Sequence, residues 1–422
     1  MPVNSKNNSN STLIKKIVKN PNTYNIIKAG SKLYFRKSPR SFKMWLDFLF
    51  YQLKEACKKR KPVVWTNIYT PSELFYTLNL FPIYPEVISG VLASIGIANY
   101  FIETAESKFY TTDLCSFYRV AAGLVLKDWF PKPDLIISSS QLCDGSTKFF
   151  YNMSKYYNCE YYLINTPYHD DPDSQNYLAA QLKEIVHKID KVTGQHLSNE
   201  RINYFFNLSN QTREYIIKLN ELRKNVPSPL SGWDAIAYIL YMFFSSLGAK
   251  KGLQFYRTLY QETEEKVNRK ISVLEEEKHR ILWLHQVRPY YKNEIIQNLK
   301  ENKAVISFEE VSHVYWQALD PQRPWESLAQ KMTSNFGVGP IERRIKTVNN
   351  LVRKYKIDGV IHFSQRGCRQ SCGGAYIIKD FLQEKGVPML ILDGDGADSR
   401  NYSKGQTRTR IEAFLEMLSQ RD

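Results

Sequence analysis

No long hydrophobic run occurs in this sequence of 422 residues. The longest apolar stretch, Ala235–Ala249, has fifteen residues. That is short of the roughly 20 that cross a bilayer, so it reads as a buried helix and no membrane partner is expected. An apolar leader is missing too. Met1–Thr12 is polar and rich in Asn and Ser, which reads as a disordered tail and gives a cytoplasmic expectation. Proline (18) and glycine (19) are too few for a low-complexity or collagen-like chain. The six cysteines are not expected to form disulfides in that compartment. Walker A, GxGxxG and GxSxG elements are all absent, so no nucleotide loop or serine elbow carries the function. Acidic charge is in short supply: 42 Asp and Glu face 58 Lys and Arg, a net charge of +16. Such an excess implies anionic partners. The basic runs are scattered through helices without a nucleic-acid motif, and nucleic acid is not expected.

What is present is an alternation of short apolar strands and amphipathic helices, written out twice. In the first segment, Val63–Trp65, Asp134–Ser138 and Tyr161–Ile164 are strand candidates, and Thr70-Pro71-Ser72-Glu73 opens a helix. In the second, Ile281–Leu284, Ala304–Phe308, Gly359–Phe363 and Met389–Leu392 are strands, with helices over Gly339–Tyr355 and Gly373–Lys385. Strands are scarce between them, where Glu200–Lys224 and Thr258–Lys278 read as helices, as does Ser41–Lys61. The expected fold class is α/β: two open parallel-sheet lobes of Rossmann or flavodoxin type facing a cleft, with a helical lead-in and a helical middle. The expected divisions are 1–60 (disordered tail and helical lead-in), 61–170 (first lobe), 171–280 (helical segment) and 281–422 (second lobe). Ligands of such sheets bind beyond the carboxyl ends of the strands, which makes the cleft the default site.

Three cysteines fall at such places. Cys143 follows the strand Asp134–Ser138, Cys368 follows Gly359–Phe363, and Cys115 stands where Thr111, Thr112 or Asp113 can cap a helix. At helix starts a thiolate gains from backbone N–H groups and the helix dipole, which is expected to lower its pKa. Thiolates select zinc or iron–sulfur clusters. The spacing matches no local metal knuckle, however, and plain packed thiols are the simpler reading of these residues alone. Cys57 and Cys159 read as packed or surface thiols, and Cys368-x-x-x-Cys372 lacks the spacing of a redox pair. The loop Asp393-Gly-Asp395-Gly follows a strand and looks like a metal or phosphate loop, but no calcium-loop pattern surrounds it and a turn is the simpler reading.

Longer motifs resemble a known family. Gly386-Val-Pro-Met-Leu-Ile-Leu-Asp393-Gly-Asp395, followed by Gly405-Gln-Thr-Arg-Thr-Arg410-Ile-Glu412-Ala-Phe414, is similar to the C-terminal signature of the 2-hydroxyacyl-CoA dehydratases. That family includes the active-site subunits of benzoyl-CoA reductase and the double-cubane-cluster proteins. Asp113-Leu-Cys115-Ser-Phe-Tyr-Arg119, Cys143-Asp-Gly145 and Arg366-Gly-Cys368-Arg resemble its three cysteine motifs. Thr70–Leu74 and Leu80–Glu86 resemble the start of its first lobe, and Ile281–Leu284 the strand that opens the second.

The resemblance implies that Cys115, Cys143 and Cys368 hold an oxygen-sensitive [4Fe-4S] cluster with one iron left open. An ATP-dependent iron–sulfur activator protein would supply a low-potential electron, and the substrate would be a coenzyme A thioester reduced by one electron to a ketyl radical. A paralogous subunit, or a second copy of the chain, would complete a dimer. Glu73, Glu86, Ser116 and Arg119 lie near the expected cleft and are candidates for substrate binding; each serves equally well as a cap, a buried ion pair or a surface charge. Many relatives carry a further cysteine where this chain has Ala397, and Cys372 has no place in a three-ligand scheme. The alternatives are a double-cubane-type reductase of small molecules, with an enlarged cluster, and a non-catalytic scaffold subunit whose thiols merely pack.

Overall fold

The computed structural model describes residues 16, 19–285 and 287–420; the tail expected over Met1–Thr12 lies outside them. Two four-stranded parallel sheets organise the chain. The first holds β1 (Val63–Trp65), β2 (Phe81–Ile83), β3 (Leu135–Ser139) and β4 (Glu160–Ile164), in the order β2-β1-β3-β4. The second holds β5 (His279–Leu284), β6 (Ala304–Glu309), β7 (Gly359–Gln365) and β8 (Met389–Gly394), in the corresponding order β6-β5-β7-β8. Both lobes therefore turn back at the same place, between their first and third strands. The central strands β1, β3 and β5 are buried along their whole length. Helices cover both faces of each sheet, which is why these strands read as unbroken apolar runs.

The edge strand β2 was not expected. It is three residues long and contains Pro82, which cannot donate to a ladder and is tolerated only at an edge. The helix expected over Thr258–Lys278 runs instead over Lys250–Asn268. Lys270 then takes φ +54° and the Ile271 N–H closes on the Lys266 carbonyl, so the chain turns toward β5. The stretch Gly373–Lys385 is broken at its glycine pair into Arg369–Gly373 and Ala375–Glu384. The apolar run after Ala235 is buried as expected, first as a π-helix (Ala235–Ile239) and then as an α-helix (Leu240–Ser245).

Local chemistry explains most helix ends. Asp171 accepts from Ser174 N at 2.8 Å, Pro172 opens the first turn, and Gly194 closes the helix Pro172–Thr193 at φ +64°. The helix Pro324–Thr333 comes from the later half of the chain, between β6 and β7. It nevertheless packs with Pro172–Thr193 against the first sheet, through Leu328, Ala329 and Met332. The helical middle forms its own core, with Phe48, Ile216, Met242, Phe255 and Leu259 buried together.

The helix Ser116–Leu126, which follows Cys115, lies hard against Ala98–Glu106. A Cβ on Gly123 would stand 2.0 Å from the Phe101 carbonyl oxygen. In a free helix, Gly→Ala would gain up to about 1 kcal/mol. Here overpacking wins, and Gly123→Ala is expected to lower stability by about 1–3 kcal/mol. The check is a urea titration, in which the midpoint should fall with the slope unchanged.

Candidate functional site

Each of the three cysteines is the N-cap residue of a helix: Cys115 of Ser116–Leu126, Cys143 of Asp144–Tyr157 and Cys368 of Arg369–Gly373. No cap sulfur makes a close hydrogen bond to its own helix start, although each senses an N–H there, of Phe117, Ser146 or Ser371. Cys143 and Cys368 are delivered alike. A residue in the left-handed region precedes each, Leu142 at φ +57° and Gly367 at φ +77°, and turns the chain after β3 and β7. Gly367 also permits a close approach between the lobes. A Cβ there would be 2.7 Å from the Asp113 carbonyl oxygen and 3.2 Å from the Cys115 nitrogen, so the Cys368 loop sits directly on the Cys115 loop.

The thiols sense one another. Burial pushes Cys115 well up from the usual thiol range, and the neighbouring Cys143, Cys368 and Asp395 push it further. Burial raises Cys143 too, against the lowering pull of the Ser146 N–H. Cys368 is pushed up to about 12, by burial first and by Cys143 and Cys372 after it, against the Ser371 N–H and Arg344. The lowered pKa expected from the helix starts is thus overturned. The N–H groups act in the expected direction, but desolvation of three adjacent thiols outweighs them. Among the described residues no group of three His, Cys, Asp and Glu side chains is arranged to hold a single metal ion. Three soft donors on separate loops suit a polynuclear iron–sulfur group instead, where each sulfur reaches a different iron. The residues present fit that group.

Cys372 turns elsewhere: its sulfur lies 3.2 Å from Ser364 Oγ and 3.5 Å from the Gln365 carbonyl oxygen. Cys57 is tied to Tyr24, and Cys159 enters β4 at the opposite end of the sheet.

Between the lobes lies an open cleft of about 880 Å³. Cys143, Asp144 and Tyr168 line one wall, and Phe336, Arg344 and Arg369 the other. At its mouth Arg369 pairs with Asp144 across the gap. Deeper in, Arg344 grips Glu310 at both oxygens, at 2.6 and 2.7 Å. Glu310 also accepts from the main-chain N–H of His285, whose Nε2 is 3.7 Å from Cys368 Sγ. Sequence reasoning missed His285, Glu310 and Arg344. For His285 and Glu310 the signal was the ends of β5 and β6, strands it did identify.

The four substrate-binding candidates divide. Ser116 is bonded to Asp395, and Arg119 is buried among Glu106, Asp395 and Asp398. Glu73 is buried with Lys331 at 2.7 Å and Ser209 at 2.6 Å. None of these three lines the cleft. Their work is to hold the frame, and Ser116 and Arg119 clamp the Cys115 helix to the second lobe. Glu86 is different. Its Oε1 accepts from Ile68 N at 2.7 Å, but its Oε2 is shut off from water without a partner. Burial pushes its carboxyl up to about 7, and its charge is felt at Cys143.

A carboxyl raised in the folded state is protonated there after the unfolded chain has ionised. Its contribution to stability therefore falls as pH rises from about 4.5 to about 7. Glu86→Gln keeps an acceptor for Ile68 and removes the titration. In urea unfolding of the chain free of any bound group, the variant is expected to gain on the parent between pH 5 and pH 8. The gain should be about 2–3 kcal/mol, and parallel pH profiles would contradict it.

Comparison with known proteins follows this geometry. The family model described as 2-hydroxyglutaryl-CoA dehydratase, D-component, matches residues 67–418. The (R)-phenyllactyl-CoA dehydratase alpha subunit of Clostridium sporogenes is 25% identical over 382 residues, covering 86% of this chain and 91% of that protein. The (R)-2-hydroxyisocaproyl-CoA dehydratase alpha subunit of Clostridioides difficile is 25% identical over 400 residues, covering 89% and 95%. A subunit of the benzoyl-CoA reductase of Thauera aromatica is 22% identical, covering 76% and 80%. The match takes in the second sheet, all of the first sheet but β1, all three capping cysteines and the cleft between the lobes, and the chain belongs to the 2-hydroxyglutaryl-CoA dehydratase D-component family.

Proposed function

We propose that this chain is an active-site subunit of a radical acyl-CoA dehydratase or reductase, with Cys115, Cys143 and Cys368 holding a [4Fe-4S] cluster at the inner end of the cleft. The observation that carries this is the meeting of three half-buried thiols from two lobes, with Cys115 sensing both of the others. When bound, such a cluster supplies low-potential electrons and a Lewis-acidic iron beside the substrate carbonyl or hydroxyl. The chain's own residues do the rest. Arg369 and the basic surface face the phosphates of coenzyme A. The Arg344–Glu310 pair fixes the inner wall without offering a free charge. Glu86, held protonated below about pH 7, can keep or release a proton on the Cys143 side.

Partners follow from the chemistry. Repeated one-electron reduction needs a strong donor, and no ATP-binding motif is present in the chain, so a separate ATP-dependent activator protein is proposed. A like subunit is proposed as well, since similar proteins are named as alpha and beta subunits of one dehydratase.

Purified without oxygen, the protein is expected to be brown with about four irons per chain. Serine at position 115, 143 or 368 should remove most of that iron, because a hydroxyl is a poorer ligand than thiolate. Cys57→Ser and Cys372→Ser should retain it. A colourless wild-type protein would leave only a scaffold role. About eight irons, lost also with Cys372→Ser, would point to an enlarged cluster.

A further inference from the structure

The net charge of the chain is concentrated at one end. Residues 1–61 hold 15 Lys and Arg against two Asp and Glu, while the rest of the chain holds 43 against 40. No acidic residue occurs before Asp47. The family match begins only at residue 67, so this basic lead-in lies outside what the match covers.

Its described part includes a helical hairpin, Pro21–Tyr34 followed by Arg40–Lys58. One face of the first helix is already packed. Tyr24 is buried at Cys57, Lys28 pairs with Asp47 at 3.1 Å, Lys54 reaches Asn25 at 2.8 Å, and Phe35, just past the helix end, packs on Phe42. Ile26, Gly30 and Leu33 stand on the opposite face, at the i, i+4, i+7 spacing of one stripe, with Ile27 and Tyr34 beside them. Ile26 and Leu33 are each 74% exposed and Tyr34 is 83% exposed. Exposure of that order puts them on the crest of the helix, not in a groove. Lys32, Arg36, Lys37 and Arg40 are exposed at one end of the hairpin, and Lys59, Arg60 and Lys61 at the other.

An apolar crest between basic ends calls for a partner that is both apolar and anionic. A second copy would set one cationic face against another, so self-association through the stripe is disfavoured. A nucleic acid would meet the charges and leave Ile26 and Leu33 without partners. A protein would have to bring an apolar groove rimmed with carboxylates. A bilayer of anionic lipid has both properties everywhere, with acyl chains below and phosphates above. A helix lying in that interface needs no run long enough to cross it, and a tyrosine at its end suits headgroup depth.

We propose that the outer face of the helix Pro21–Tyr34 is a docking surface for an anionic lipid membrane: Ile26, Leu33 and Tyr34 enter among the acyl chains, and the basic ends of the hairpin rest on lipid phosphates. Lys59 pairs with Asp134 just ahead of β3, so the hairpin's second helix ends at the amino-terminal edge of the first sheet. The cleft lies at the carboxyl ends of the strands, and substitutions on the stripe do not touch it.

The test is vesicle flotation of the anaerobically purified full chain. Vesicles are phosphatidylcholine alone, or phosphatidylcholine with about 30% phosphatidylglycerol. In about 0.1 M salt the chain is expected to float with the anionic vesicles and not with the neutral ones, and the binding should weaken in about 1 M salt, where charges are screened. Ile26→Ser combined with Leu33→Ser should bind at least about tenfold more weakly, through lost apolar burial. Lys32→Ser combined with Lys37→Ser should lose about twentyfold, since each lysine near an anionic surface is worth about fivefold. Circular dichroism of the same samples checks that the variants fold. A chain that floats with neither kind of vesicle overturns the inference, and so does equal binding to both. Undiminished flotation of the Ile26→Ser, Leu33→Ser variant overturns it too, because charge alone would then suffice. Absence of flotation together with a dimer in lipid-free sedimentation velocity, lost in Leu33→Ser, gives the face to a protein partner instead. The two vesicle compositions decide with the wild type alone if a variant fails to fold.

Discussion

Three half-buried thiols from two lobes are brought close to one another, and the rest of the structure is arranged around that fact. A buried thiol resists losing its proton, and a second and third thiol beside it make the loss harder still. Cys368 is the measure of this, pushed up to about 12. Such a trio is poorly suited to nucleophilic work at neutral pH, where a reactive cysteine needs a stabilised thiolate. It suits a positively charged, polarisable guest that takes the place of the protons. The helix starts at all three positions soften the penalty without reversing it.

Holding sulfurs from two lobes in register requires the lobes to be fixed to each other. The segment from Asp395 to Arg400 does this. Asp395 takes Ser116 together with the main-chain N–H groups of Ala397 and Asp398. Arg119 meets Glu106 and Asp398, and Arg400 meets the same two carboxylates from the other side. Ala397 is buried in the first lobe's core. Buried charge networks of this kind add little stability over an apolar core, but breaking one leaves an uncompensated charge. What they secure here is register.

The sequence made the strands and the sulfurs legible for a simple reason: both are local. Leu135–Ser139 and Gly359–Gln365 are apolar runs, and each is followed within a few residues by a cysteine at a helix start. The remainder depends on distant partners. Nothing near Glu73, Ser116 or Arg119 tells that Lys331, Asp395 and Asp398 will pair with them. Pro82 hid an edge strand. The direction of the thiol shifts was missed because burial comes from packing, whereas a helix start can be read from neighbours. His285, at φ +90°, escaped because the sign of a backbone angle leaves no mark in composition.

The helix Pro324–Thr333 leaves the second lobe, packs beneath the first sheet, and the chain then returns to form β7. The two halves are in this way laced together by the polypeptide as well as by charge. A hinge that swung the lobes apart would have to pull Leu328, Ala329 and Met332 out of a core. The cleft is thus less a jaw than a fixed slot. A molecule passing its mouth meets Arg369 and Asp144, which pair across the gap and have to part to let it by.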